Sequence, residues 1–148
     1  MTRVDFYILA DDSDTARLVL ACRIAEKAMQ QDQHVFIHSS SEAEARKLDE
    51  LLWTFSQGSF VPHRVVGADG AAPGLEPVLI GAGIEPTGPR FDVMINLADE
   101  VPEFFSRYER VVEPVDGNPS RRQRSRERYR FYRDRGYPLS THEVRGAL

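Results

Sequence analysis

The chain has almost no cysteine. Its single thiol, Cys22, cannot form an intramolecular disulfide, so a reducing cytoplasmic setting is expected. Long hydrophobic runs are missing as well, and with them any stretch able to cross a bilayer; no membrane partner is expected. The opening Met1-Thr2-Arg3-Val4-Asp5 lacks the charged, apolar and small-residue layout of a secretory signal. Glycines are absent where a nucleotide-binding α/β sheet needs them, at the first strand-to-helix turn. That turn reads Ala10-Asp11-Asp12-Ser13-Asp14, whose carboxylates satisfy a helix N-terminus from within and repel a pyrophosphate. Gly81-Ala82-Gly83 starts a similar motif, but Pro86 stands in the place of the third glycine, and the segment reads as a turn. No serine lies in a G-x-S-x-G elbow. His34 and His38 fall on one face of a strand without a metal-ligand spacing, and Cys22 lies on an apolar helix stripe. Neither a cofactor, a metal nor catalytic machinery is expected.

What the sequence does contain is strand and helix in alternation. With 148 residues, 41% hydrophobic and 28% charged, it has the size and composition of one folded domain over 1–148. A short apolar run predicts a strand over 4–10. Caps at Asp11 to Ser13 and the spacing of Leu18, Ala21, Cys22, Ala25 and Met29 predict a helix to about 31. A second strand over 34–38 is followed by Ser41 and Glu44 at capping-box spacing and a helix to about 53. A turn and a short extended piece occupy 56–62, and a Gly/Ala/Pro-rich surface loop 67–75. Strands over 77–81 and 91–97 come next, joined through Gly83, Pro86, Gly88 and Pro89. A short helix over 102–109, a strand over 110–113 and a turn at Asp116-Gly117-Asn118-Pro119 lead to a helix over 120–135 capped by Ser120. The fold class predicted is α/β: a single Rossmann-like domain, a mostly parallel sheet with helices on both faces and no bound nucleotide.

Two features exceed what folding requires. Charge is segregated: residues 1–119 carry a net −10, residues 120–136 a net +6, and the eight basic groups of the latter are all arginine. Arginine favours bidentate recognition of carboxylate or phosphate. Arg122, Arg126, Arg130 and Arg133 fall on one helical row, with Tyr129 beside it, and like charges so spaced repel unless something acidic meets them. That something is the protein's own acidic body, a nucleic acid, or an acidic peptide with an apolar anchor seated beside Val115 and Tyr129. The second feature is the aromatic cluster of Trp53, Phe55 and Phe60, followed by Val61, Pro62 and His63. It either closes the core or forms an exposed binding patch.

Three blocks together resemble one family. Phe6-Tyr7-Ile8-Leu9, then Leu48-Asp49-Glu50-Leu51-Leu52-Trp53 with Ser59-Phe60-Val61-Pro62-His63, then Arg126-Glu127-Arg128-Tyr129-Arg130-Phe131-Tyr132-Arg133 through Gly136-Tyr137 stand in its order and spacing. They are similar to the chi subunits of the bacterial DNA polymerase III holoenzyme. The resemblance implies a non-catalytic subunit of the clamp-loader complex, with the polymerase active site in another subunit. It implies that Trp53, Phe60, Val61 and Pro62 bind the psi subunit, a surface on which a repair helicase is the competing occupant. It further implies that Val115, Arg122, Arg126, Tyr129 and Arg130 bind the acidic C-terminal tail of single-stranded DNA-binding protein, so that nucleic acid is contacted indirectly. Direct single-strand binding by the same arginines is the alternative, and the acidic remainder of the chain weighs against it. Pro114 and Gly117-Asn118-Pro119 depart from the family pattern at the rim of the tail site, and the loop over 67–75 carries no family motif.

Overall fold

Ser13 ends the first strand's exit and starts the first helix. In the computed structural model, which describes residues 1–67, 76–86 and 92–145, the Ser13 Oγ accepts from the Ala16 N–H at 3.3 Å, and the Ser13 N–H donates to Asp11 Oδ1 at 2.7 Å. Strand β1 (Arg3–Leu9) thus passes into helix α1 (Asp14–Gln30) with the Ala16 N–H, one of the helix's orphan donors, capped by Ser13. Strand β2 (Val35–Ser39) leads to helix α2 (Glu42–Thr54) through a variant capping box. Ser41 Oγ accepts from Glu44 N–H at 3.1 Å, while the Glu44 carboxylate reaches back to the N–H of Ser40 rather than of Ser41.

The remaining elements are β3 (His63–Val65), β4 (Val78–Ala82), β5 (Val93–Asn96), a 3₁₀ turn (Glu103–Arg107), β6 (Arg110–Val115), helix α3 (Pro119–Asp134) and β7 (Leu139–Val144). The strands form one sheet in the order β3-β4-β2-β5-β6-β1-β7, and every pairing is parallel. Side chains of period two divide between its faces. Val35, Ile37, Val78, Ile80, Val93, Ile95 and Val112 pack against α1 and α2. Val4, Phe6, Phe36, Met94 and Val111 pack on the opposite side, against Tyr132 of α3 and Phe105 of the 3₁₀ turn. Burial on both faces explains why the inner strands read as continuous apolar runs. This is the expected Rossmann-like α/β architecture, parallel throughout.

Several local expectations need correction. Helix α3 is capped by Asn118, whose Oδ1 accepts from Arg121 N–H at 3.1 Å, with Pro119 in the first turn, where its missing N–H costs nothing; Ser120 lies inside the helix. The segment over 102–109 is 3₁₀ rather than α. Gly81 and Ala82 finish β4, and only Gly83, at φ +70°, makes the turn. Strand β6 continues two residues past 113, and Pro114 is tolerated in it because the register with β5 ends at Val112, leaving a neighbour on one side. Strands β3 and β7 were not foreseen. The loop over 68–75 and the connection over 87–91 lie outside the described residues.

Candidate docking surfaces

The 3.6-residue repeat of α3 sorts its arginines onto two sides. Arg121, Arg124 and Arg128 turn toward acidic groups of the sheet and its loops. Arg121 forks onto the buried Asp116 carboxylate, Arg124 pairs with Asp99, and Arg128 Nε donates to Glu113 Oε1 at 2.9 Å while its Nη1 donates to the Asp99 carbonyl at 2.8 Å. Glu113 is fully buried. Its Oε2 accepts from the Tyr132 hydroxyl at 2.7 Å; burial, and then the Glu113 charge, push that phenol's pKa far up, so it remains a donor. The acidic body therefore does neutralise part of this helix.

The other side differs. Among the described residues Arg122 donates only to main-chain carbonyls, of Asp116 at 3.0 Å and Leu9 at 3.1 Å. Among the described residues Arg126 reaches nothing better than Gln123 Oε1 at 3.5 Å, and Arg130, one turn on, has no ion pair. Arg133 pairs with its exposed neighbour Asp134. Beside Arg122 and Arg126 opens a hollow of about 230 Å³. Phe6 and Ile8 of β1 and Val115 at the end of β6 form its floor, Tyr129 its wall on α3, and Thr141 of β7 its far rim. Tyr129 is held edge-on to Phe6, with ring centroids 5.3 Å apart, and stays 36% exposed. Of the residues expected here, Val115, Arg122, Arg126 and Tyr129 converge, while Arg130 extends the charged row beyond the hollow. Phe6, Ile8 and Thr141 were missed. Alternation along β1 would have found the first two; Thr141 required recognising β7.

The aromatic cluster is exposed. Trp53 at the end of α2 and Phe60 in the following loop are 56% and 65% accessible, their ring centroids 5.9 Å apart. Beneath Trp53, at 4.7 Å, lies His63, whose two ring nitrogens contact the carbonyl oxygens of Val61 and Asp49 at 2.6 and 3.0 Å. Pro62 is half-buried beside it. Val61 corrects the surface expectation: it is fully buried in the α1/α2 core and offers no side-chain surface, because the extended chain between Phe60 and Pro62 turns it inward.

The two surfaces lie toward opposite edges of the sheet. The cluster sits by β3 and the hollow over β6, β1 and β7; the two edge strands themselves are six spacings, or ~29 Å, apart.

Residues 1–140 match the family model described as DNA polymerase III chi subunit, HolC. The chain belongs to the DNA polymerase III chi subunit family. It is 44% identical over 144 residues to the DNA polymerase III subunit chi of Pseudomonas aeruginosa, covering 97% of this chain and 98% of that one. The subunit chi of Escherichia coli is 34% identical over 145 residues, covering 95% and 97%, and that of Haemophilus influenzae 32% over 139, covering 94% and 95%. As a chi-family member the protein is a component of a bacterial polymerase holoenzyme. No helix among the described residues is long and apolar enough to cross a membrane.

Proposed function

We propose that the protein is a non-catalytic connector in the clamp-loader part of the holoenzyme, working in the cytoplasm and joining the psi subunit to the acidic C-terminal tail of single-stranded DNA-binding protein. The observation that carries this reading is Arg126: a guanidinium with no carboxylate partner among the described residues, standing over an apolar hollow. A peptide ending in a phenylalanine fits both parts. Its ring fills the space above Phe6, Ile8 and Val115, its terminal carboxylate takes the Arg126 fork, and upstream aspartates meet Arg122 and Arg130. Trp53 and Phe60, with Pro62 at their side, present the aromatic chemistry that dominates protein interfaces, and psi or a competing repair helicase occupies them. Separation of the surfaces lets both be filled at once.

The test is a calorimetric titration of the full chain with an acidic peptide ending in phenylalanine, beside the same peptide carrying a C-terminal amide. Binding of the free acid, weakened in the amide and lost in Arg126→Ala, supports the reading. Equal binding of both peptides, or Arg126-dependent binding of a naked oligonucleotide in place of the peptide, overturns it.

A further inference from the structure

Between β2 and β5 the sheet reverses its winding. Helix α2 follows β2 onto one face, and the 3₁₀ turn follows β5 onto the other. Such a reversal opens a crevice at the carboxyl ends of the strands. Here it holds a cavity of about 600 Å³, walled by His38, Glu85, Asp99, Glu100, Glu103 and Phe104. Neither docking surface described above includes any of these residues.

The chemistry of the wall follows from a chain of buried hydrogen bonds. Glu113 receives Arg128, Tyr132 and, at 3.0 Å, the Asn96 amide nitrogen. A carboxylate offers only acceptors to these donors, which fixes the Asn96 amide with Nδ2 toward Glu113. Asn96 Oδ1 must then face the other way, where it accepts from Ala98 N–H at 3.2 Å and lies 3.0 Å from His38 Nδ1. His38 Nδ1 therefore carries the proton. Burial, which leaves the residue 6% exposed, holds its pKa below the ordinary imidazole value and keeps the ring neutral, so Nε2 carries a lone pair. That nitrogen has no hydrogen-bond partner among the described residues, and the ring forms part of the cavity wall.

The remaining wall groups point to the same class of ligand. Glu85 and Asp99 are paired with Arg107 and Arg124, whereas the Glu100 and Glu103 side chains have no ion pair among the described residues. A bare imidazole nitrogen and two unpaired carboxylates form a set of acceptors that calls for a cationic donor. Phe104, edge-on to His38 at 5.6 Å, adds an aromatic ring on which a flat cation can stack. Planar, with five donors arranged as a fork, guanidinium matches this set better than ammonium. The cavity is larger than one guanidinium, leaving room for the backbone that presents it, and the chain works inside a multi-subunit polymerase.

We propose that the crevice between β2 and β5 binds an arginine side chain presented by a polypeptide partner. The test uses the full ¹⁵N-labelled chain and long-range ¹H–¹⁵N spectra of the His38 ring. It is titrated separately with a blocked Gly-Arg-Gly tripeptide, the same peptide with citrulline for arginine, and putrescine. The free protein should show the neutral ring protonated at Nδ1. The arginine peptide should shift Nε2 saturably and bind at least about tenfold more tightly than either other probe, as expected for a fork of charge-assisted bonds. Glu100→Gln combined with Glu103→Gln, both exposed positions, should remove most of that preference with an unchanged circular dichroism spectrum. Absence of a shift at His38 overturns the proposal, as does citrulline binding equal to arginine or an unaltered preference in the double variant. Putrescine binding as tight as the peptide overturns the polypeptide partner.

Discussion

Arg128 Nε lies 2.9 Å from the buried carboxylate of Glu113, whereas Arg126, on the opposite side of the same helix, meets only the side chain of Gln123 among the described residues. The two guanidiniums should therefore separate stability from binding. Arg128→Ala leaves Glu113 buried with one charge-assisted bond fewer and should cost about 3–5 kcal/mol in urea denaturation. Arg126→Ala should stay within about 0.5 kcal/mol of the parent. Equal costs would mean that the helix does not divide its arginines as described.

Binding at the hollow should follow the charge and the ring separately. Arg126→Lys keeps the charge but loses the fork, and should bind the acidic peptide less well than the parent and better than Arg126→Ala. Tyr129→Ala removes the wall and should weaken the peptide without altering the salt slope. Raising salt from ~0.01 M to ~1 M shortens the screening length from ~30 to ~3 Å, so the parent's affinity should fall steadily. A salt-independent titration would assign the binding to apolar contact alone.

At the other edge, neighbouring residues should behave oppositely. Phe60→Ala should cost about 2 kcal/mol or more in affinity for psi, read by co-purification and calorimetry, with stability unchanged. Val61→Ala should cost about 1–3 kcal/mol of stability through the cavity it opens, with psi affinity preserved once folded. Loss of fold in Phe60→Ala would return that ring to the core.

Gly117→Ala tests the junction between β1 and β6. A Cβ there would lie 2.6 Å from the Ala10 carbonyl oxygen, while the Gly117 N–H donates to Asp11 O at 2.7 Å and Asn118 caps α3 immediately after. The backbone must give way, so the melting curve should shift downward by the equivalent of about 1–3 kcal/mol. Because the same turn aims α3, the acidic peptide should also bind more weakly. An unchanged melt would show that the two loops move apart freely.

His38 should leave a signature in acid. Its folded pKa is depressed by burial below the ordinary 6.5, so the unfolded chain takes up a proton first. Its contribution is complete above about pH 6.5 and is lost as pH falls through that value toward the folded pKa. Urea titrations at about pH 7.5 and about pH 5.5 should show a smaller decline in His38→Asn than in the parent; parallel declines would place the imidazole in water.

The apolar runs and helix caps made the sheet and both leading helices readable from residue order, since strands buried on two faces and a Ser at each N-terminus leave local marks. Strand β7 left none: Leu-Ser-Thr-His-Glu-Val is an exposed edge held by β1 alone, and with it Thr141 of the hollow was hidden. The arginine row at 122, 126 and 130 was visible as periodicity. That Arg124 and Arg128 are absorbed by Asp99 and Glu113 was not, because those partners arrive from loops and strands up to 29 residues away. Exposure of Trp53 and Phe60 was equally illegible, since an aromatic after a helical stripe closes a core as readily as it faces a partner.

The unequal pairing at the two edges has a mechanical consequence. Strand β7 is matched to β1 at six positions, whereas β3 is matched to β4 at only three, from His63 to Val65. Tension pulled from margin to margin loads each set of interstrand bonds in series; the β3–β4 set ties with the inner β5–β6 set for fewest matched positions, and at the open margin, where water can replace the broken bonds, it yields first. A taut tether would therefore begin to unravel beside the indole of Trp53, with the guanidinium row still clamped.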